Sequence, residues 1–70
     1  MFRMKEIVKN SISDLRQAAG VTQEQLGAAV GVTRQTIIAI EKGNYTPSIL
    51  LALKLARYFK KSVNEIFSIF

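Results

Sequence analysis

Arg34, Gln35, Ile38, Ala39 and Lys42 fall on one arc when residues 33–42 are wound at about 100° per residue, while Ile37 and Ile40 fall together on the opposite side with Thr36 at their flank. The arc offers a guanidinium, a carboxamide, an ammonium, an aliphatic side chain and a methyl. Arg paired with guanine, Gln paired with adenine and an apolar group against the thymine methyl are the partners of base edges in the major groove. Arg34 and Gln35 would lie in the first turn, the part of a reading helix that enters the groove. A merely solvated helix face more often carries Glu and Lys four apart. Glu is missing from this arc, and Ile38 stands exposed on it.

Other chemistries are excluded or unsupported. The 70 residues contain no Cys and no His, which removes disulfides, thiolate or imidazole metal sites, Cys or His catalysis and a histidine pH switch. No cofactor and no metal are expected. The five Asp/Glu form no paired carboxylates and no nucleophile–base arrangement, so an enzyme is not expected. Ten Lys/Arg give a net charge of +5, which favours a polyanionic partner, nucleic acid before an anionic membrane. The apolar runs Ile37–Ile40 and Ile49–Leu53 are far shorter than the roughly 20 residues that span a bilayer, and Met1–Glu6 lacks the apolar core of a signal peptide. A cytoplasmic protein with no membrane partner is the expectation.

The reading arc needs a scaffold, and the chain is punctuated for one. A single all-α domain over 1–70 is predicted, a compact five-helix bundle. Its first helix runs from Asn10 to Ala19, with Ile12, Leu15 and Ala19 on one face and Gly20 as the stop. Thr22 caps a second helix over Gln23–Val30, with Gln25 completing a capping box and Val21 and Leu26 forming a hydrophobic staple. Gly31 ends it. Val32 and Thr33 repeat the grammar, with Ile37 as the staple partner, and the third helix runs to Lys42 before Gly43. A turn that short forces the two helices to cross steeply.

After the loop 44–47, Ser48 caps a fourth helix to Phe59. Ile49, Leu50, Leu53 and Ala56 mark it as the most buried helix. Ser62 and Glu65 form another capping box, opening a short helix over Val63–Phe67. Met1–Val8 is open between strand and frayed helix. The tail Ile66–Phe70 is too apolar for a free terminus.

The run Gln23–Gly43, followed by Tyr45-x-Pro47-Ser48, an amphipathic helix and Ser62-Val63-x-Glu65-Ile66-Phe67, resembles the helix-turn-helix of the Cro and phage-repressor (XRE) family over about Asn10 to Phe67. The resemblance implies a lambda-repressor-like DNA-binding domain with its helix-turn-helix at 22–42, usually dimeric, that regulates transcription from operator DNA. It assigns base reading to Arg34 and Gln35, with Ile38 and Ala39 at later groove-facing positions. Relatives often carry a polar residue where Ala39 stands. It assigns double-stranded DNA backbone contacts to Gln23, Thr33, Thr36, Lys42, Asn44 and Tyr45. Arg16 and Glu41 match a structural ion pair joining the first and third helices.

Gly27 stands where the family usually has Ala, at a helix-propensity cost of about 1 kcal/mol. Some small relatives pair their chain ends as strands across a dimer. Ile66, Phe67, Ile69 and Phe70 are therefore candidate homodimer contacts, although a contact with the chain's own core explains Phe67 and Phe70 equally well. A repressor on a palindromic operator is the expected function. The rival is an antitoxin-like module that masks a partner protein through the same tail.

Overall fold

The computed structural model describes residues 8–69. Met1–Ile7 and Phe70 lie outside the described residues, so the expectations for most of the N-terminal segment and for a Phe70 contact are not addressed by it. The order of elements is β1 (Val8–Asn10), α1 (Ile12–Ala19), α2 (Gln23–Val30), α3 (Arg34–Glu41), α4 (Ile49–Phe59), α5 (Val63–Ile66) and β2 (Phe67–Ile69).

The caps fall where the sequence places them. Thr22 Oγ1 accepts from the Gln25 N–H at 3.0 Å while Gln25 Oε1 accepts from the Thr22 N–H at 2.9 Å. Thr33 accepts from the Thr36 N–H, Ser48 from the Leu51 N–H, and Ser62 and Glu65 close a second capping box. Each cap satisfies a donor that the helix itself cannot. Gly20, Gly31 and Gly43 all take positive φ beyond helix ends, at 73°, 83° and 80°.

The core gathers one or more residues from every helix: Ile12, Leu26, Val30, Ile37, Ile40, Leu51, Leu55, Ala56 and Ile66, with Leu15, Val32, Phe59, Val63 and Phe67 packed against it. The structure corrects the expectations in four respects. First, α1 begins at Ile12 rather than Asn10, because Asn10 belongs to β1 and its Oδ1 accepts the Ile12 N–H at 3.0 Å from there. Ala19, expected on the inner face with Ile12 and Leu15, is exposed at the helix end.

Second, α3 ends at Glu41, with Lys42 as its C-cap, and α5 ends at Ile66 because Phe67 is already extended, at φ −117° and ψ 141°. Third, the expected inner face of α4 is wrong. Leu51, Leu55 and Ala56 are buried, whereas Ile49, Leu50 and Leu53 are 80%, 64% and 54% exposed. Lys54 and Arg57 lie about 60° apart on the outward side with Leu50 between them, and the buried residues lie across the helix from that pair, so the two cations and not the run of apolar residues mark the face. Fourth, the chain ends form strands, but β1 pairs with β2 of the same chain, antiparallel, in the register Val8↔Ile69, Lys9↔Ser68 and Asn10↔Phe67.

Gly27 explains how closely α2 approaches the turn that precedes α3. A Cβ there would stand 2.7 Å from the Val32 carbonyl oxygen and 3.2 Å from both the carbonyl carbon and oxygen of Thr33. The Val32 N–H donates to the Gly27 carbonyl at 2.9 Å. The propensity lost at Gly27 is thus tied to a backbone-to-backbone contact that sets where α3 starts.

Candidate nucleic-acid interface

The α3 helix presents two faces, with one departure from the expected arc: Ile38, expected exposed, is half-buried. Ile37 and Ile40 are fully buried, and Arg34 and Gln35 are exposed in the first turn. Ile38, Ala39 and Thr36 are half-buried along the flanks, and Thr33 and Lys42 are exposed at the two ends. Asn44 and Tyr45 stand exposed in the loop that follows, with Tyr45 47% accessible. These residues therefore lie along one helix and its adjoining loop.

Glu41, at the end of α3, is the electrostatic hub beneath this face. The Arg16 Nε donates to Glu41 Oε2 at 2.6 Å and its Nη2 to Oε1 at 3.3 Å, while Nη1 reaches the Val21 carbonyl at 3.1 Å. The bond to Glu41 holds the Arg16 guanidinium above its ordinary pKa range. Bidentate pairing of this kind fixes orientation as well as charge. It also neutralises the one carboxylate on α3, leaving Arg34 and Lys42 as the charges of the helix.

Gln23 joins this hub: its Nε2 donates to Glu41 Oε1 at 3.0 Å. The amide assigned to DNA backbone by sequence is thus held in place by α3, with its carbonyl oxygen and second N–H still to be used. Gln23 also borders a shallow cavity of about 470 Å³ lined by Arg16, Gly20, Val21, Thr22, Glu24 and Arg34. The start of α2 opens onto this hollow, and the first N–H groups of a helix attract anions. Glu24 on the same rim opposes them.

Asn10 is the residue that sequence reasoning missed. Its Nδ2 donates to the Ile40 carbonyl at 2.8 Å, so one side chain ties β1 to both α1 and the last turn of α3. Its polarity was visible, but the pairing of the chain ends that carries it there was not. Among the described residues there is no cluster of three or more acidic residues able to hold a metal, and no helix long and apolar enough to cross a membrane.

The helix-turn-helix family model matches residues 12–66, which spans α1 to α5. The chain belongs to the helix-turn-helix family of DNA-binding transcriptional regulators. Within that family it is 52% identical over 60 residues to YgzD of Bacillus subtilis, an uncharacterized HTH-type transcriptional regulator, covering 86% of this chain and 91% of that one. It is 32% identical over 59 residues to the cryptic phage CTXphi transcriptional repressor RstR of Vibrio cholerae, covering 84% of this chain and 53% of the repressor. Among solved structures, the helix-turn-helix fold resembles the restriction-modification controller protein C.AhdI of Aeromonas hydrophila. That match has a TM-score of 0.71 and 31% identity, over 77% of this chain and 82% of that one.

Proposed function

We propose that this helix-turn-helix chain is a sequence-specific repressor that binds a palindromic operator as a homodimer, within the cytoplasm and on the chromosome. The observation that carries the reading is the division of α3: Ile37 and Ile40 buried, Arg34 and Gln35 free in the first turn. Arg34 and Gln35 read base edges, and Ile38 and Ala39 sit deeper along the groove wall. The Ala39 methyl leaves discrimination to the start of the helix. Thr33, Thr36, Lys42, Asn44, Tyr45 and the second N–H of Gln23 hold phosphates, which fixes register without reading sequence. The likeness to a phage repressor supports the sign of regulation. A two-fold dimer matches half-sites one helical turn apart.

Selection of bound fragments from random duplex DNA tests the reading, and recovery of a palindrome with that spacing is the expected result. Titrations against single-base variants then separate the roles. Gln35→Ala should lose about 1–3 kcal/mol of discrimination at one position of each half-site. Gln23→Ala should weaken every site alike. The reverse pattern would exchange the two roles, and unselected fragments would remove sequence-specific reading altogether.

A further inference from the structure

The outward half of α4 is apolar in its first turn and a half and carries Lys54 and Arg57 beyond it. Wound at about 100° per residue, it reads Ile49, Leu53, Arg57, Leu50, Lys54 and Tyr58 in angular order. Ile49, Leu50 and Leu53 are the first, second and third most exposed apolar residues of the helix, at 80%, 64% and 54%. Lys54 is half-buried, and its Nζ lies 3.9 Å from where a Cβ on Gly31 would stand. Its ammonium therefore leans over the C-terminal end of α2, where the helix dipole favours a cation, and away from the patch. Arg57 is left at the C-terminal border.

We propose that this face is the seam of the homodimer, with the two α4 helices packed antiparallel about a two-fold axis near Leu50 and Leu53. The inference rests on the homodimer reading above and names the surface that serves it. Three observations select a second copy as the occupant. The first is area. Ile49, Leu50 and Leu53 together expose roughly 300–400 Å² of apolar surface, the size of the largest apolar patch on a typical monomer, which is often functional. Two such patches with flanking Tyr58 and the Arg57 stem approach the lower end of specific interfaces, about 1,200 Å².

The second is charge. With a rise of about 1.5 Å per residue and a crossing near Leu51, the two Arg57 side chains attach about 18 Å apart, beyond the Debye length of about 10 Å. The two Lys54 side chains attach only about 9 Å apart, but their ammonium groups turn toward Gly31 of their own chains, so a chain of net charge +5 can meet itself here. The third is that the rival surface is already used. Ile66 is 3% exposed in the chain's own core, Phe67 packs against that core, and β2 is paired with β1, which leaves Ile69 as the exposed apolar residue of the described tail. Neither Arg34 nor Gln35 belongs to the α4 patch.

The chain contains no Cys, so a single introduced thiol reports directly on the axis. Purified Leu50→Cys, oxidised in dilute solution, should run as a covalent dimer, and Ile69→Cys should stay a monomer on the same gel. By sedimentation equilibrium, Leu53→Glu should weaken dimerisation at least tenfold (about 1.4 kcal/mol) with an unchanged helical spectrum, and Ile69→Glu should leave it as in the parent. A parent dimer that survives Leu53→Glu but dissociates with Ile69→Glu overturns the α4 seam and keeps the homodimer. A parent chain that is monomeric both free and on its selected operator overturns the homodimer itself.

Discussion

Glu41 shows how much of the interface is decided by a residue that never needs to touch DNA. Its carboxylate takes three donors from two other helices, Arg16 Nε and Nη2 on α1 and Gln23 Nε2 on α2. The two ion-paired side chains are 14% and 8% exposed, intermediate between a solvated pair and a dry one. Removing one partner leaves the other charge poorly compensated. Arg16→Met or Glu41→Leu alone should lower unfolding stability by about 2–3 kcal/mol. The double variant should recover most of that loss, because two apolar side chains of similar length leave no orphan charge. Urea midpoints measured at constant m value would show it. Additive losses in the double variant would mean that the pair is not the unit that acts. The family resemblance implied this pair, but Gln23 as its third member was not legible. Only the crossing of α2 and α3 brings residues 23 and 41 together.

At the scale of elements, Gly27 and Glu65 carry opposite kinds of sensitivity. Gly27→Ala gains about 1 kcal/mol of helix propensity. Its new methyl meets backbone atoms at 2.7 and 3.2 Å, and neither Val32 nor Thr33 can rotate them away. Overpacking costs about 1–3 kcal/mol, so we expect a net loss of up to about 2 kcal/mol, a fall in Tm of up to roughly 15 °C for a domain this size. A higher Tm would show that the turn yields. Glu65 acts through pH. Its bond from the Ser62 N–H, 2.7 Å long, holds its carboxyl below the ordinary range. A depressed folded-state pKa stabilises the fold above the unfolded value, near 4.3, and that contribution fades as pH falls through the folded value. Glu65→Gln, which keeps an acceptor but not the charge, should flatten the acid limb of a stability-against-pH curve and leave the neutral region nearly level.

The caps of α2, α3, α4 and α5 were legible because a cap is a local contract between residues three apart. The β1–β2 pairing was not. The inner face of α4 is marked in the sequence by Lys54 and Arg57, which share the outward side, but the apolar residues Ile49, Leu50 and Leu53 around them obscure it; three-residue strands from the two chain ends have no local signature.

At the scale of the whole molecule, the charge of +5 overstates the electrostatics of the DNA face. Arg16 is tied to Glu41, Lys54 leans over the end of α2, and Arg57, Lys60 and Lys61 stand at the far end of α4. Under the proposed reading, Arg34 and Lys42 are the cations that α3 brings to DNA from each protomer, alongside neutral donors at Gln23, Thr33, Thr36, Asn44 and Tyr45. Neutral donors position a phosphate without releasing a counterion, so only the cations set the salt dependence. Two cations per protomer, doubled by the two-fold, give a slope of log Kobs against log salt of about −3.6, or a loss of roughly 150-fold between 50 and 200 mM salt. Lys42→Ala should make the slope shallower by about 1.8, because each dimer loses two contacts. A parent slope near −9 that returns to about −3.6 when Arg57, Lys60 and Lys61 are all replaced by Ala would bring those three cations onto the duplex. It would then set the outer end of α4 against DNA, where an α4 seam leaves no room for it.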